Sequence, residues 1–197
     1  PQAQLLRAKA LLAQNQLPQA VEAATAGLTA THIDPAVRAA LLQARAQARI
    51  AGAAPDPAAA IADLRAAMSA TPRDPHPRAR LVVLLAAAAD PAEAQELLQG
   101  VNPRGLTDAA LLVGLGRAGL QLGQRDRAME ALQHAARTAP TNAEALEALG
   151  DAYLSAGRVQ DARLQWQRAR SQPDLPPTIV ARLTQKLETT QAARGGP

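Results

Sequence analysis

The chain contains no cysteine and no phenylalanine, and its aromatic side chains are Tyr153 and Trp166 alone. Without cysteine there is no disulfide framework, no thiolate nucleophile and no cysteine-ligated zinc site. That absence fits cytoplasm and periplasm equally. With aromatics at 1% of residues, a core has to be built from small aliphatic side chains. Each buries little surface, so the elements must approach closely and in thin layers. No apolar run reaches the roughly 20 residues that span a bilayer. Basic tracts are missing as well: the formal net charge is +4, but acidic residues are interleaved with the basic ones along all 197 residues. Such interleaving is unlike a surface that tracks phosphates.

What is abundant is alanine and leucine, both strong helix formers, within a chain that is 48% hydrophobic. An all-α protein is the economical expectation. The prolines from Pro18 to Pro177 all fall at junctions or first turns of the helices this pattern predicts, where they cost nothing. A first residue of proline predicts an excised or processed piece, with any targeting segment upstream. The richness in Ala, Arg and Pro predicts a GC-rich bacterial source.

The chain also repeats itself. Shifted by 34 residues, Leu112, Leu115, Gly116, Gly123, Ala128, Leu132 and Ala135 fall on Leu146, Leu149, Gly150, Gly157, Ala162, Trp166 and Ala169. The register extends backwards through Ala60 and Ala94, Leu64 and Leu98, Ala67 and Val101. Positions i, i+4 and i+7 lie on one helix face, so each second helix of a unit carries a small–large–small stripe. Helices are predicted in pairs: Gln2 to the turn Asn15-Gln16, with Pro18 opening the next; then Pro35–Ala51, followed after the turn Gly52–Pro57 by a second helix. The six extra residues between Ala20 and Ala60 are absorbed there. Next come Pro77–Ala89 with Pro91–Gly100, then the two clear pairs within 109–174, and a last helix to about Gln191. Asp34-Pro35 and Asp90-Pro91 read as N-cap and first helical position. Gly27 weakens the end of its helix, and Ile179, Leu183 and Leu187 form one apolar stripe with Arg182, Lys186 and Glu188 off it.

A 34-residue period with Leu146-x-x-Leu149-Gly150-x-x-Tyr153 followed by Ala162-x-x-x-Trp166 resembles the tetratricopeptide repeat, a helix–turn–helix unit that stacks on its neighbours. Leu146 stands where that family often has Trp, and Trp166 where it often has Phe. The resemblance implies a right-handed α-solenoid forming one superhelical domain over 1–194. Its units are about 1–34, 35–74, 75–108, 109–142 and 143–174, with a capping helix at 175–191 and a disordered tail at 194–197.

In that family the first helices of successive units line a groove that holds an extended peptide or a partner helix. Carried over, the face comprises Gln2, Leu5, Leu6 and Lys9, then His76, Ala79, Arg80 and Val83, then Ala110, Val113, Gly114 and Arg117, then Glu144, Glu147, Ala148 and Asp151. The partner-binding groove is accordingly expected at His76, Arg80, Val83, Val113, Arg117, Glu144, Glu147 and Asp151. Arg38, Arg45 and Arg49 share a face in the second unit. The groove would be basic over four units and acidic in the fifth. The plainer reading pairs Arg117 with Glu147 or Asp151 as a solvated face worth about 0–1 kcal/mol. The Lys and Asn set with which some relatives grip a C-terminal carboxylate is not supplied by Leu5, Lys9, Glu147 and Asp151.

Chemistry of its own is not expected. His32, His76 and His134 belong to different units, and none has a partner at metal-ligand spacing on its helix. Ser69, Ser155 and Ser171 sit at turns or helix ends without a nearby base. Gly114-Leu115-Gly116 and Gly119 fall inside a helix and not after a strand, which argues against a phosphate loop. Two aromatics already used in the core leave none for base stacking. The sequence therefore predicts a protein-interaction scaffold that is not an enzyme and uses no metal or cofactor. Its expected setting is a larger bacterial assembly, secretion or envelope-biogenesis factor. A nucleic-acid-binding helical repeat and a structural spacer or oligomerisation domain are the alternatives, and self-association stays open.

Overall fold

In a computed structural model of the protein, residues 1–88 and 91–192 are described. Among them are eleven α-helices and no strand: α1 Gln2–Ala13, α2 Leu17–Leu28, α3 Pro35–Ala51, α4 Pro57–Ala70, α5 Pro75–Ala87, α6 Pro91–Gln99, α7 Ala109–Gln121, α8 Arg125–Thr138, α9 Ala143–Ser155, α10 Val159–Arg170 and α11 Pro177–Ala192. The helices start where side chains can satisfy their orphan N–H groups. Asp34, Asp56, Asp74, Asp108 and Asn142 accept backbone N–H bonds at the starts of α3, α4, α5, α7 and α9. Asp74, Asp108 and Asn142 are themselves spaced by the repeat, a signal the apolar periodicity overlooks. The helix α5 starts at Pro75, two residues before the expected Pro77, because Asp74 caps it and Pro77 still falls in the first turn. The expected cap Asp90, helix end Ala89 and tail 194–197 lie outside the described residues.

The hairpin turns repeat one device. Asn15, Gly123 and Gly157 have positive φ of 57°, 70° and 74°. The next residue's N–H closes back on the first helix: Gln16 to Leu11, Gln124 to Gly119 and Arg158 to Tyr153, each at 2.8 Å. These left-handed turns reverse the chain and satisfy carbonyls that the helix end leaves open.

The chain divides into two compact units, 1–97 and 98–197. In the first, Ala8, Ala23, Ala24, Leu41 and Ala44 form a core across α1, α2 and α3, lined by Leu5, Leu11, Leu12, Leu28 and Val37. Gly27 does more than weaken α2: a Cβ there would lie 2.8 Å from a Leu41 methyl, so glycine lets α3 close onto α2. Ala60, Leu64 and Ala67 are buried on α4 as the periodicity predicts.

In the second unit the corresponding stripes are buried at Ala128, Leu132 and Ala135 and at Ala162, Trp166 and Ala169. Gly116 packs against Leu132 and Gly150 against the indole of Trp166, so closely that a Cβ at either would overlap its neighbour. The helix α6 stops at Gln99, one residue early, so Val101 keeps its buried stripe position from a loop. A short 3-10 turn, Pro103–Gly105, follows, and buried Leu106 fills the place of a linker proline. Leu183 and Leu187 of α11 complete a core with Leu146, Ala162, Trp166 and Ala169.

Candidate functional site

In the first unit, three alternate helices present side chains to one shallow depression of about 200 Å³. It is lined by Lys9 and Leu12 of α1, Ala40, Gln43, Ala44 and Gln47 of α3, and Arg80 of α5. Spacings of three and four along each helix put these residues on one face. Small Ala40 and Ala44 keep the floor low while the two glutamines offer both donors and acceptors. Lys9 and Arg80 were expected on this surface; Leu12, Gln43 and Gln47 were not, because the insertion in the second repeat obscured its register.

Other expected residues have different surroundings. His76 turns back onto its own helix start, with Nδ1 2.7 Å from Asp74 Oδ1. Val83 is half-buried on α5 and Val113 is buried on α7. Arg45 and Arg49 do share a face, but it is directed at α4. Arg45 makes two bonds to the Asp63 carboxylate, at 2.9 and 2.6 Å, and Arg49 one at 2.7 Å. Asp63 is 4% exposed, and burying that carboxylate demands the cations. The groove is thus not basic through Arg45 and Arg49.

In the second unit, the carboxylates of α9 are answered from both sides. Arg117 of α7 reaches Glu144 at 2.7 Å, not Glu147 or Asp151. Glu147 is 3% exposed and receives Arg182 Nε and Nη2 at 2.7 Å each, with Lys186 Nζ at 2.8 Å. Lys186 also donates to both oxygens of Asp151, at 2.6 and 2.7 Å. The indole N–H of Trp166 is shared between the Glu147 carbonyl at 3.3 Å and Asp151 Oδ1 at 3.1 Å. Burial pushes the Glu147 carboxyl up, but hydrogen bonds and charge from Arg182 and Lys186 outweigh it and hold it below the ordinary glutamate value. The same bonds raise the Arg182 guanidinium. Of the acidic residues expected to line a groove in the fifth repeat, Glu147 and Asp151 therefore form a seam between α9 and α11, while Glu144 stays exposed against Arg117. Sequence placed Arg182 and Lys186 off the apolar stripe without showing what they meet.

Among the described residues no group of three His, Asp or Glu side chains has the arrangement of a metal site, and no helix is long and apolar enough to cross a membrane. His134 is tied to the Leu106 carbonyl at 3.0 Å, and the Ser69, Ser155 and Ser171 hydroxyls bond carbonyls of their own helices. These are structural contacts at helix ends and between helices.

Within each unit, helix pairs joined by tight turns pack on their neighbours, with α1 against α3 in the first and α7 against α9 in the second, an all-α repeat architecture. Residues 113–176 match the family model of the tetratricopeptide repeat. Solved structures share the fold. TTC0263, a thermophilic TPR protein of Thermus thermophilus, is 24% identical, with a TM-score of 0.67 over 95% of this chain and 98% of its own. YrrB, a TPR protein with an unusual peptide-binding site, is 18% identical, with a TM-score of 0.59 over 92% and 90%. MamA residues 41 to the end, from Desulfovibrio magneticus RS-1, are 16% identical, with a TM-score of 0.58 over 99% and 97%. Among curated proteins, none matches the chain.

Proposed function

We propose that this protein is an interaction scaffold that holds an extended peptide or a helical segment of a partner protein against its first helices. One observation carries this reading: α1, α3 and α5 together line the depression around Gln43 and Gln47. A surface assembled from three stacked repeats is rigid, so it binds without the ordering cost of a loop. Glutamine side chains on its floor can pair with both the N–H and C=O of an extended backbone. Of the positions expected on α5, Arg80 lines this depression, while His76 and Val83 lie elsewhere on the same helix. Val113, Arg117, Glu144, Glu147 and Asp151 belong to the corresponding helices of the second unit, where Arg117 and Glu144 are the most exposed. The scaffold performs no chemistry itself. Its Ala-, Arg- and Pro-rich composition supports a bacterial source, and the repeat resemblance supports a module of a larger assembly, secretion or envelope-biogenesis factor.

The test is affinity capture from the native source with three chains: unaltered, Gln43→Arg/Gln47→Arg, and Leu164→Gln on the exposed face of α10. A partner lost only with the α3 variant supports the groove. One lost only with Leu164→Gln moves binding to the outer helices.

A further inference from the structure

We propose that α11 is exchanged between two copies of this chain, so that Arg182 and Lys186 of one copy complete the Glu147–Asp151 seam of the other. The contacts that dock α11 are self-contained. Leu183 and Leu187, with Ile179 beside them, enter the core of Leu146 and Trp166. Arg182 and Lys186 hold Glu147 and Asp151. Arg163 of α10 donates to the Leu187 carbonyl at 2.6 Å and to the Thr190 hydroxyl at 3.0 Å. Leu175, just before α11, packs against the same core and travels with the helix, so a second copy's α11 with its Leu175 reproduces every one of these contacts.

What differs between docking within a chain and between chains is the hinge, residues 171–174. It reverses the chain through Asp174, a non-glycine residue with φ of 56°. The other positive-φ turns use Gly123 and Gly157 in this unit and Asn15 in the first, so Asp174 bears a charged side chain where the others have glycine or an amide. Pro173, Pro176 and Pro177 fix φ at three further positions and leave little freedom to spread the reversal. A short, stiff hinge that must bend through a left-handed residue favours opening into an extended connection, which is the condition for domain exchange. Extended, four residues reach about 13 Å, so the copies must lie side by side. The outward face of α11 carries exposed Gln185, Glu188 and Thr189, so the exchanged helix keeps a polar surface toward solvent. Self-docking competes at an effective concentration of about a millimolar, the order expected for short linkers, and release of two bent hinges lowers the protein concentration at which pairs form.

Charge reversal tests this directly. One chain carries Arg182→Glu/Lys186→Glu and a second carries Glu147→Lys/Asp151→Lys. Each alone sets like charges across the seam, but mixed they are complementary in both directions. The expected result is that an equimolar mixture doubles in mass from 20.5 kDa and restores the Trp166 emission that the Arg182→Glu/Lys186→Glu chain loses alone. A mixture that keeps the single-chain mass and the separate emission spectra overturns the proposal. A second measurement covers variants that fold poorly alone. Because the chain has no cysteine, an Asp151→Cys chain mixed with a Lys186→Cys chain can join these two positions through a short bis-maleimide only between copies. Peptide mapping of a 151–186 cross-link supports exchange. Its absence at 200 µM protein overturns it. Six Gly/Ser residues inserted after Gln172 are expected to reduce that cross-link at least tenfold, and an unchanged yield also counts against the strained hinge.

Discussion

Two glycines set the spacing of the second unit. Gly116 and Gly150 occupy the same position in consecutive repeats, facing Leu132 and Trp166 with no room for a Cβ. Gly150→Ala is expected to destabilise the protein by about 1–3 kcal/mol, the cost of forcing a methyl into a filled core. Gly123→Ala, at φ 70° with open space around it, is expected to cost about 1 kcal/mol through backbone strain alone. Urea denaturation of both variants separates the two mechanisms, because only Gly150→Ala also displaces the indole and alters tryptophan emission. Glu147 makes a different kind of contribution. Its carboxyl is held below the ordinary value of 4.5 in the folded chain, so the stability it adds is complete above that pH. It is lost as pH falls through the lowered folded value, since protonation then costs more in the folded than in the unfolded state. Trp166 emission followed through an acid titration is expected to show α11 loosening in that window, with the change flattened in Glu147→Gln. An unaltered titration curve in that variant contradicts the assignment.

At the scale of helices, the same buried-charge logic joins α3 to α4. Removing the Asp63 carboxylate with Asp63→Ala leaves Arg45 and Arg49, with side chains 18% and 25% exposed, facing each other across a buried gap. The loss is expected at about 2–3 kcal/mol, under the value for fully buried pairs because both guanidinium groups retain some water. Asp63→Ala combined with Arg45→Met is expected to recover part of it, measured as a partial return of the urea midpoint. These helices also show what the sequence makes legible. Helix boundaries were readable because proline, aspartate and glycine act locally: Pro35–Ala51 is found with both ends as expected. The buried stripes were readable because a period is a property of one helix face. What a charged face meets is a property of the neighbouring helix, and periodicity is silent about it. Arg45 and Arg49 were placed on a common face, yet Asp63, fourteen or more residues on, decides which way that face points. Glu147 was read as groove-lining because Arg182 and Lys186 lie 35 and 39 residues away, about one repeat further along. The floor at Gln43 and Gln47 stayed hidden for a third reason, the six-residue insertion that takes α3 out of the common register.

For the whole chain, the scarcity of aromatics has an energetic consequence. Cores made of alanine and leucine bury little area per residue, so each helix pair depends on its immediate neighbours and no single layer dominates. Stability should then fall off locally around a lesion, as in a one-dimensional array, and the all-or-none loss of a small two-state domain is not expected. Gly150→Ala is the suitable lesion, because it acts on the α9–α10 interface and reaches α11 through Trp166 and the neighbouring Glu147–Asp151 seam. In hydrogen exchange the variant is expected to lose protection most strongly in α9, α10 and α11, less in α8, and least in α1 to α3. A uniform loss of protection across all helices would mean that the repeats fold as one cooperative block. In that case the spacing set by Gly150 would govern the entire chain and not just its own hairpin and the helix docked on it.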